Sequence, residues 1–339
     1  MPLTISTVVF GLLFPRFDLR FTFVPKHMSA LKSFRKRCET GLTRFALWFV
    51  PRLSRPAVLR MARIGGAVAC RLPNRLKKVA LANLDIAFGQ EKSPEEKKRI
   101  LKESCQTFAL VLLDIFWFSK DTHRRIEDHV TFDPQLDELF QKKAHVCITA
   151  HLGNWELLGH AVSVRGNPLS SVAAPLVNPA VDEYFSRMRH VSGQIIIKRD
   201  GAIRAMLRTL KEDGKVGLLL DQNTRPSEGG LFVDFFGLPA PMSDAPSSLA
   251  LKTNADVLFG FCIPNRDGSY TVHTAPKIIP AETPGENKDE KVRALTEQIA
   301  RATEEAIRAH PGAWLWMYKR WKFVPPDRDP AAYPFYAKV

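Results

Sequence analysis

Short apolar runs alternate with stretches of helix-forming composition over the second half of the chain. The apolar runs are rich in β-branched residues and predict buried strands at residues 146–150, 169–173, 194–198, 216–220 and 257–263. The predicted helices between them lie at residues 156–164, 180–191 and 201–211. Strands that alternate with helices are typical of an α/β fold, and we expect a largely parallel sheet flanked by helices.

Further elements are predicted on either side of this region. Ser93 is a good N-cap, Pro94 suits the first helical position and acidic residues follow, so a helix begins there. A second, more apolar helix is predicted over residues 103–118. Toward the C-terminus we expect an added strand at 270–279 and a long helix at 287–310.

The net charge of +14 is confined to the N-terminal part of the chain. Residues 1–80 contain 16 Lys and Arg but only two acidic residues, whereas the remaining charges cancel. A basic segment of this kind binds either nucleic acid or an anionic membrane surface. Here Leu, Phe, Trp, Val and Ile lie between the basic residues, which favours the membrane over nucleic acid.

The predicted helix at residues 56–72 shows this pattern in detail. Helical spacing brings Arg60, Arg63 and Arg71 onto one narrow face, with apolar residues elsewhere around the helix. This is typical of a helix that lies in a membrane interface. The alternative is an ordinary solvated helix whose apolar face packs into the core. The expected domains are a basic helical membrane-associating arm at 1–80, a catalytic domain at 81–325 and a tail at 326–339.

No apolar run reaches the ~20 residues needed to cross a membrane. The two longest runs in the arm stop at Pro15 and at Pro51. We therefore expect the protein to lie on a membrane, as a peripheral or monotopic protein. No basic residue precedes the first run, so a cleaved signal peptide is not expected. Met28 opens a stretch typical of a protein start, which leaves Met1 and Met28 as alternatives.

The cysteines and the absent motifs narrow the chemistry. Five cysteines, an odd number without a C-x-x-C pair, argue against a disulfide framework and a zinc site and favour a reducing compartment. No metal or other cofactor is expected. Cys147, inside an apolar strand, is interpreted as a buried structural thiol and not a nucleophile. The absence of G-x-S-x-G, Walker, G-x-G-x-x-G and H-E-x-x-H motifs disfavours serine hydrolases, P-loop enzymes, Rossmann enzymes and zincins.

His151 and Glu156 lie in the turn between the predicted strand at 146–150 and the helix that follows. On a regular helix residues five apart point in different directions, so the two side chains meet only if the chain bends, which Gly153 permits. Asn154 is a suitable N-cap and leaves Glu156 in the first helical turn, where the helix dipole favours a carboxylate. A carboxylate that holds one imidazole nitrogen leaves the other to act as a general base. The alternative is a structural histidine satisfied by a nearby acid.

The segment His-Leu-Gly-Asn-Trp-Glu at residues 151–156 resembles the H-x-x-x-x-E box of the lipid A biosynthesis acyltransferases, within the lysophospholipid acyltransferase superfamily. The related glycerol-phosphate acyltransferases carry Asp in place of that Glu, so Glu156 indicates the lipid A branch. The resemblance covers roughly residues 40–325. It continues in the family's order through residues 175–179, 187–189, 220–223, 232–237, 314–316 and 320–321. One departure is Ala174, where family members often carry an arginine that bears on how the phosphate or donor group is held.

The resemblance implies that Arg187 and Arg189 hold an anionic group or the oxyanion near His151. A solvated helix face is the alternative for this basic pair. The backbone amides of Gly153 and Asn154 are a second predicted source of oxyanion donors.

Further residues follow from the same resemblance. Asp221, at the end of a predicted strand, would support His151 or orient the acceptor, unless it only caps the next turn. Gln222 belongs to the same motif and is predicted to contact the substrate. Phe236 and Gly237 would line an apolar channel, with plain core packing as the alternative. Three tryptophans that lie among basic residues are expected in the membrane interface: Trp314, Trp316 and Trp321.

The resemblance implies transfer of a fatty acyl chain from a thioester to a hydroxyl of a lipid-sugar acceptor. The implied acceptor is a lipid A precursor and the implied donor is acyl carrier protein, with acyl-CoA left open. A thioester is already activated, so neither a covalent nucleophile nor a metal is required. The expected location is the cytoplasmic face of the bacterial inner membrane. Two alternatives stay open: acyl-CoA-dependent acylation of another glycolipid, such as a phosphatidylinositol mannoside, and a non-catalytic basic protein that binds anionic lipid.

Overall fold

The computed structural model of the chain describes residues 26–71, 75–173, 178–198 and 201–338. The predicted apolar run that ends at Pro15, and the motif residues 174–177, lie outside the described residues. The described residues form ten α-helices: α1 Lys26–Phe49, α2 Arg55–Arg71, α3 Arg75–Phe88, α4 Pro94–Trp117, α5 Thr122–His129, α6 Trp155–Val164, α7 Pro179–Val191, α8 Ala202–Lys211, α9 Ala245–Thr253 and α10 Lys288–Ala309. They also form nine strands: β1 Val130–Phe132, β2 His145–Thr149, β3 Leu169–Ala173, β4 Ile195–Lys198, β5 Lys215–Leu219, β6 Gly230–Phe235, β7 Leu238–Ser243, β8 Asp256–Pro264 and β9 Tyr270–Thr274.

Seven of these strands form one sheet in the order β1-β9-β8-β2-β5-β3-β4, and β6 and β7 form a separate hairpin. Neighbouring strands of the large sheet are parallel, except that β8 and β9 are antiparallel. The prediction of an α/β fold with a largely parallel sheet flanked by helices is confirmed.

Strands β2 and β5 lie side by side near the centre of the sheet and end in register, with Thr149 opposite Leu219. The second residue beyond each strand is polar: His151 follows β2 and Asp221 follows β5. Parallel strands present their carboxyl ends at the same edge of a sheet, so these two side chains meet there. The register of this one strand pair therefore positions the candidate site.

Strand β2, at the centre of the sheet, packs against apolar clusters on both of its faces. In β2, Val146 and Ile148 pack into one apolar cluster, whereas Cys147 packs against the other. Helices α8, α9 and α10 contribute to the first cluster, α2 and α6 contribute to the second, and α4 contributes to both. A strand covered on both faces is a continuous apolar run, which explains why these strands were recognisable in the sequence.

The prediction of two helices between residues 94 and 118 is wrong, because α4 runs unbroken from Pro94 to Trp117. Its start is capped as predicted. The Ser93 side chain accepts a hydrogen bond from the Glu96 amide, and the Glu96 carboxylate accepts one from the Ser93 amide. The change from charged to apolar composition near residue 103 reflects increasing burial and not a break in the backbone.

Helix α2 in the arm has two different faces. Val58, Leu59 and Ala62 are buried in the second cluster, whereas Ile64 is 66% exposed and Val68 is 50% exposed. The inner face of α2 therefore packs into the core, as the alternative of an ordinary helix predicts. The outer face keeps exposed apolar side chains, as a helix in a membrane interface would. Among the described residues, no helix is long and apolar enough to cross a membrane.

Helix α2 passes closest to α4 at Gly66. A Cβ atom on Gly66 would lie 2.5 Å from the Cα of Gln106, so the two backbones touch there. The arm helix is thus held to the sheet domain by a contact that has no room for a side chain.

We expect Gly66→Val to lower the free energy of unfolding by about 1–3 kcal/mol, because the helix contact must open to admit the side chain. The matched control is Gly65→Val, since a Cβ atom on Gly65 meets nothing within 4 Å. Denaturant unfolding of both variants measures the difference. Equal stability of the two variants would show that α2 does not pack on α4 in this way.

Candidate active site

An imidazole and a carboxylate meet at the carboxyl edge of the sheet. Nδ1 of His151 lies 2.7 Å from Oδ1 of Asp221, and the His151 backbone amide donates to Oδ2 at 2.9 Å. The indole Nε1 of Trp314 donates to the same Oδ2 at 2.8 Å. None of the three residues is more than 5% exposed. The carboxylate therefore has a fixed orientation, and it fixes the imidazole ring in turn.

The charge on Asp221 determines which imidazole nitrogen carries the proton. Burial alone would raise the pKa of Asp221, but the His151 ring beside it and the hydrogen bonds from His151 and Trp314 lower that pKa below its ordinary value. An ionised carboxylate only accepts hydrogen bonds, so Nδ1 of His151 is the protonated nitrogen. In a neutral imidazole with that tautomer, Nε2 carries no proton, as a general base requires.

Two further side chains contact the imidazole. Nε2 of Gln222 lies 3.2 Å from Nε2 of His151, and the amide is the donor when the imidazole is neutral with its proton on Nδ1. The indole of Trp155 packs against the imidazole with ring centroids 4.6 Å apart. The structure therefore places Gln222, predicted only from its motif, beside Nε2 of His151.

The turn after His151 has the predicted bend and cap. Gly153 has a φ of +64°, and a Cβ atom there would lie 1.9 Å from the carbonyl oxygen of Cys262, so only glycine fits. The Asn154 side chain accepts a hydrogen bond from the Leu157 amide at 3.0 Å and caps α6.

The prediction that the Gly153 and Asn154 amides donate to an oxyanion needs correction. The Gly153 amide donates to the Ala313 carbonyl at 3.0 Å, and the Asn154 amide donates to the Cys262 carbonyl at 2.7 Å. Donors that are already committed to buried carbonyls do not point at a reacting oxygen. These amides instead tie the turn to β8 and to the segment that carries Trp314.

The prediction that Glu156 fixes the imidazole also needs correction. Nδ1 of His151 is bonded to Asp221, whereas both carboxylate oxygens of Glu156 accept from Nη2 of Arg189, at 3.0 and 3.2 Å. The cap at Asn154 starts α6 so that Glu156 faces α7, which carries Arg189. The site therefore contains two acid–base pairs, His151 with Asp221 and Glu156 with Arg189.

The two predicted arginines separate in the structure. Arg189 is partly buried against Glu156, and its guanidinium lies 5.8 Å from the ring centroid of Phe185. Arg187, two residues earlier on α7, is exposed. Only Arg189 of the pair faces the site.

An apolar cleft opens between α6 and the sheet. It encloses about 920 Å³ of empty space, its open mouth included. Trp155, Glu156 and Arg189 line it, and its apolar walls include Leu136, Leu139, Leu158, Val162, Leu258 and Val272. Cys147 also lines the cleft, and burial raises the pKa of that thiol to about 12, so it is not a thiolate near neutral pH.

Phe236 and Gly237 form the turn of the β6–β7 hairpin, both with positive φ. Phe236 is buried and packs against Phe88 and Trp316. Neither turn residue lines the cleft: core packing describes Phe236, whereas Gly237 is exposed.

The prediction that three tryptophans lie in the membrane interface is wrong. Trp314, Trp316 and Trp321 are each at most 1% exposed. The basic residues near these tryptophans in the sequence do not indicate exposure. Arg320 itself is fully buried, with its guanidinium 4.8 Å from the ring centroid of Phe235.

In the described part of the chain, one group of side chains brings three potential metal ligands within 4.8 Å of one another: Glu138, His145 and Asp256. Its two carboxylates already pair with Lys277 and Lys143, at 2.6 Å each. The group lies at the amino end of β2, opposite the end that carries the candidate site.

The fold and the site thus define an α/β protein with a buried histidine–carboxylate pair at the carboxyl edge of its sheet and an apolar cleft that shares Trp155 with that pair. Residues 29–323 match the model of a family described as bacterial lipid A biosynthesis acyltransferase. The chain belongs to this family and is an acyltransferase.

Individual relatives are similar over different lengths. The lipid A biosynthesis lauroyltransferase of Escherichia coli (strain K12) is 23% identical, over 85% of this chain and 92% of that protein. The palmitoleoyltransferase of the same organism is 24% identical, over 82% and 89%. The phosphatidylinositol mannoside acyltransferase of Mycobacterium tuberculosis is 27% identical, over 50% and 52%, so the chain spans about half of that relative.

A second histidine lies behind the Glu156–Arg189 pair, one turn further along α6. Nδ1 of His160 lies 2.7 Å from Oγ of Ser192 and 3.0 Å from Nε2 of Gln194. Burial lowers the pKa of His160 from 6.5 to about 4, so the ring is neutral at pH 7.

Between pH 6.5 and pH 4 the unfolded chain binds a proton at His160 that the folded chain does not. We therefore expect stability to fall as the pH is lowered through this window, by on the order of 3 kcal/mol from this residue. His160→Gln should flatten the pH dependence of the unfolding free energy, whereas His190→Gln, at an exposed site on α7, should not. Denaturant unfolding at several pH values measures this, and an unchanged slope in His160→Gln would contradict the assignment.

Proposed function

We propose that this acyltransferase moves a fatty acyl chain from acyl carrier protein to a hydroxyl of a lipid A precursor or a related glycolipid. The observation that carries the proposal is the buried His151, whose Nδ1 and backbone amide both bond to the Asp221 carboxylate. Trp155 packs on the imidazole and also lines the apolar cleft, so a single side chain connects the proposed base with the cleft.

In the proposed reaction, Nε2 of His151 removes the proton of the acceptor hydroxyl as the oxygen attacks the thioester carbonyl. A C–O bond forms, the C–S bond breaks, and the imidazolium gives its proton to the leaving thiolate. Asp221 stabilises the imidazolium, since its carboxylate is ionised and already fixed. Gln222, displaced from Nε2 by the acceptor hydroxyl, offers an N–H donor to the oxyanion.

Arg189 supplies the fixed positive charge in this proposal, and Glu156 acts through Arg189. A guanidinium held by two carboxylate contacts and packed near Phe185 is oriented before substrate binds. It lines the cleft, so it can meet the developing oxyanion or an anionic group of the donor. Arg187 is exposed and has no proposed role in the reaction.

The apolar cleft is the proposed site of the fatty acyl chain. Its aliphatic walls exclude water, and each buried methylene contributes about 0.8 kcal/mol to binding. The E. coli relatives are named for lauroyl and palmitoleoyl transfer, which supports a long acyl group as the cargo.

The net charge of the protein supports one proposed acyl donor, and a relative supports a second candidate reaction. A net charge of +14 suits an acidic donor such as acyl carrier protein. The match to the mycobacterial phosphatidylinositol mannoside acyltransferase supports a second candidate, acyl-CoA-dependent acylation of a related glycolipid.

We propose that the arm holds the enzyme on an anionic membrane surface, at the cytoplasmic face of the bacterial inner membrane. Six large apolar side chains of the arm are at least 40% exposed: Leu42, Phe45 and Trp48 on α1, and Met61, Ile64 and Val68 on α2. Arg60 and Arg63 are exposed on the same helix as the second group. Exposed apolar residues beside arginines are typical of an interfacial segment.

His151→Ala is expected to lower kcat about 10²-fold or more, since no other group takes the proton. Asp221→Asn should lower it by a similar factor, because the asparagine amide no longer selects the Nδ1–H tautomer. The double variant should be little worse than either single variant, because the pair acts as a unit. Acyl transfer from both thioester donors to several glycolipid hydroxyls, followed by mass spectrometry, measures this and identifies the substrates.

The matched control for these variants is Glu305→Gln, which changes an exposed acid on α10 and should leave turnover unchanged. Near-normal turnover by His151→Ala would show that the proposed base is wrong. Loss of activity in Glu156→Gln but not in Asp221→Asn would restore Glu156 as the partner of the imidazole.

Trp48→Ser/Ile64→Ser should weaken binding to vesicles that contain anionic lipid by about tenfold or more, since each exposed apolar side chain contributes about 1 kcal/mol or more when buried. Substitutions suit this test better than deletion of the arm, because α2 also packs on α4. The matched control is Phe335→Ser/Ile203→Ser, which removes an equally exposed aromatic and aliphatic pair outside the arm. If both double variants sediment with vesicles equally well, the arm is not the anchor.

A further inference from the structure

A buried polar network lies behind the catalytic turn. The Arg55 guanidinium makes two hydrogen bonds to the Asp114 carboxylate, and the Tyr270 hydroxyl donates to Oδ2 of the same carboxylate. Nδ2 of Asn154 lies 3.4 Å from this Oδ2 and 3.3 Å from the Tyr270 hydroxyl. The four residues are between 0% and 7% exposed.

Arg55 is held on every side. Its Nε donates to the Gly268 carbonyl at 2.8 Å, in the turn between β8 and β9. The guanidinium lies 4.8 Å from the ring centroid of Trp117, and 5.6 Å from those of Phe118 and Tyr270. A guanidinium so enclosed has a single orientation, and it transmits that orientation to the Asp114 carboxylate.

Asn154 connects this network to the reaction site. Its Nδ2 faces Asp114 and Tyr270, so its Oδ1 faces the opposite way and accepts from the Leu157 amide at the start of α6. Asn154 lies three residues after His151 and two before Glu156. The orientation of one carboxamide thus sets where α6 begins, and with it the path of the turn between the two acid–base pairs.

A buried ion pair of this kind is a weak source of stability, because desolvation offsets most of the attraction, and an apolar replacement of both partners is often neutral or stabilising. The network therefore needs another explanation. It spans two parts of the molecule: Arg55 is the first residue of α2 in the arm, and Asn154 caps the catalytic turn.

We propose that Arg55 is a positioning residue for acyl transfer, acting through Asp114 and Tyr270 on the Asn154 cap. The inference rests on the proposed function, because it assigns to a residue of the arm the task of holding the His151 turn in its reactive geometry. Arg55 touches neither His151 nor Glu156 among the described contacts, so it acts indirectly, through the network that ends at Asn154.

The test separates positioning from stability with a double variant, Arg55→Met/Asp114→Leu, which removes both charges and leaves neither unpaired. We expect its melting temperature to stay within a few degrees of the parent, while kcat falls about tenfold or more and KM for the donor changes less than threefold, because small misplacements of reacting groups are costly. Tyr270→Phe, a milder change that keeps the ring, should lower kcat about threefold or more. Arg55→Lys should not restore kcat, since an ammonium cannot make both carboxylate contacts.

The matched control is Arg125→Met. Arg125 also holds the arm, because it donates to the Pro51 carbonyl at 2.8 Å and stacks on Trp117, yet it makes no contact with Asp114. We expect this variant to keep kcat near the parent value.

Hydrogen exchange supplies a readout that does not depend on activity. Amides of residues 154–158 should exchange faster in Tyr270→Phe and in the double variant than in Arg125→Met. A stable double variant with parental kcat and parental exchange would overturn the positioning role, whereas absence of acyl transfer by the parent protein would overturn the proposed function instead. If the double variant does not fold, Tyr270→Phe provides the test. Parental kcat and parental amide exchange in Tyr270→Phe would then overturn the positioning role of Arg55.

Discussion

The parallel pairing of β2 with β5 is the constraint on which the site depends. Thr149 lies opposite Leu219, and this register brings His151 and Asp221 together although they are 70 residues apart in sequence. A shift of one residue in this pairing would turn one of the two side chains to the other face of the sheet. Strand β2 packs into an apolar cluster on each of its faces and this opposes such a shift, so the packing of the sheet also sets the contacts at its edge.

The sequence allowed the fold and part of the site to be predicted, for identifiable reasons. Buried parallel strands are short apolar runs, and Gly153 and Asn154 are residues whose local conformational roles can be inferred without knowing their neighbours. The partners of long side chains were not predictable in the same way. Glu156 follows His151 closely in sequence, yet it bonds to Arg189, because helix α6 turns it toward α7.

Burial was equally hard to infer where aromatic and basic residues alternate. Trp314 and its neighbours resembled an interfacial segment in the sequence, but the structure packs them into the core, and Trp314 donates to Asp221. Helix α2 shows the opposite case, since its inner face packs on α4 while its outer face keeps exposed apolar residues. For α2 composition alone left two interpretations open, and for the tryptophans it favoured the wrong one. In both segments the burial depends on the position of the neighbouring elements.

The segment at residues 313–315 determines when the site can form during synthesis of the chain. The Ala313 carbonyl accepts from Gly153, the Leu315 amide donates to the His151 carbonyl, and the Trp314 indole holds Asp221. The turn after β2 and the Asp221 carboxylate thus form three hydrogen bonds with a stretch that follows all nine strands in the sequence. On a ribosome, which adds residues from the N-terminus onward, the basic arm emerges early and this stretch emerges late. The hydrogen bonds that fix His151 and Asp221 are therefore complete only after residues 313–315 have been made, later than every strand of the sheet.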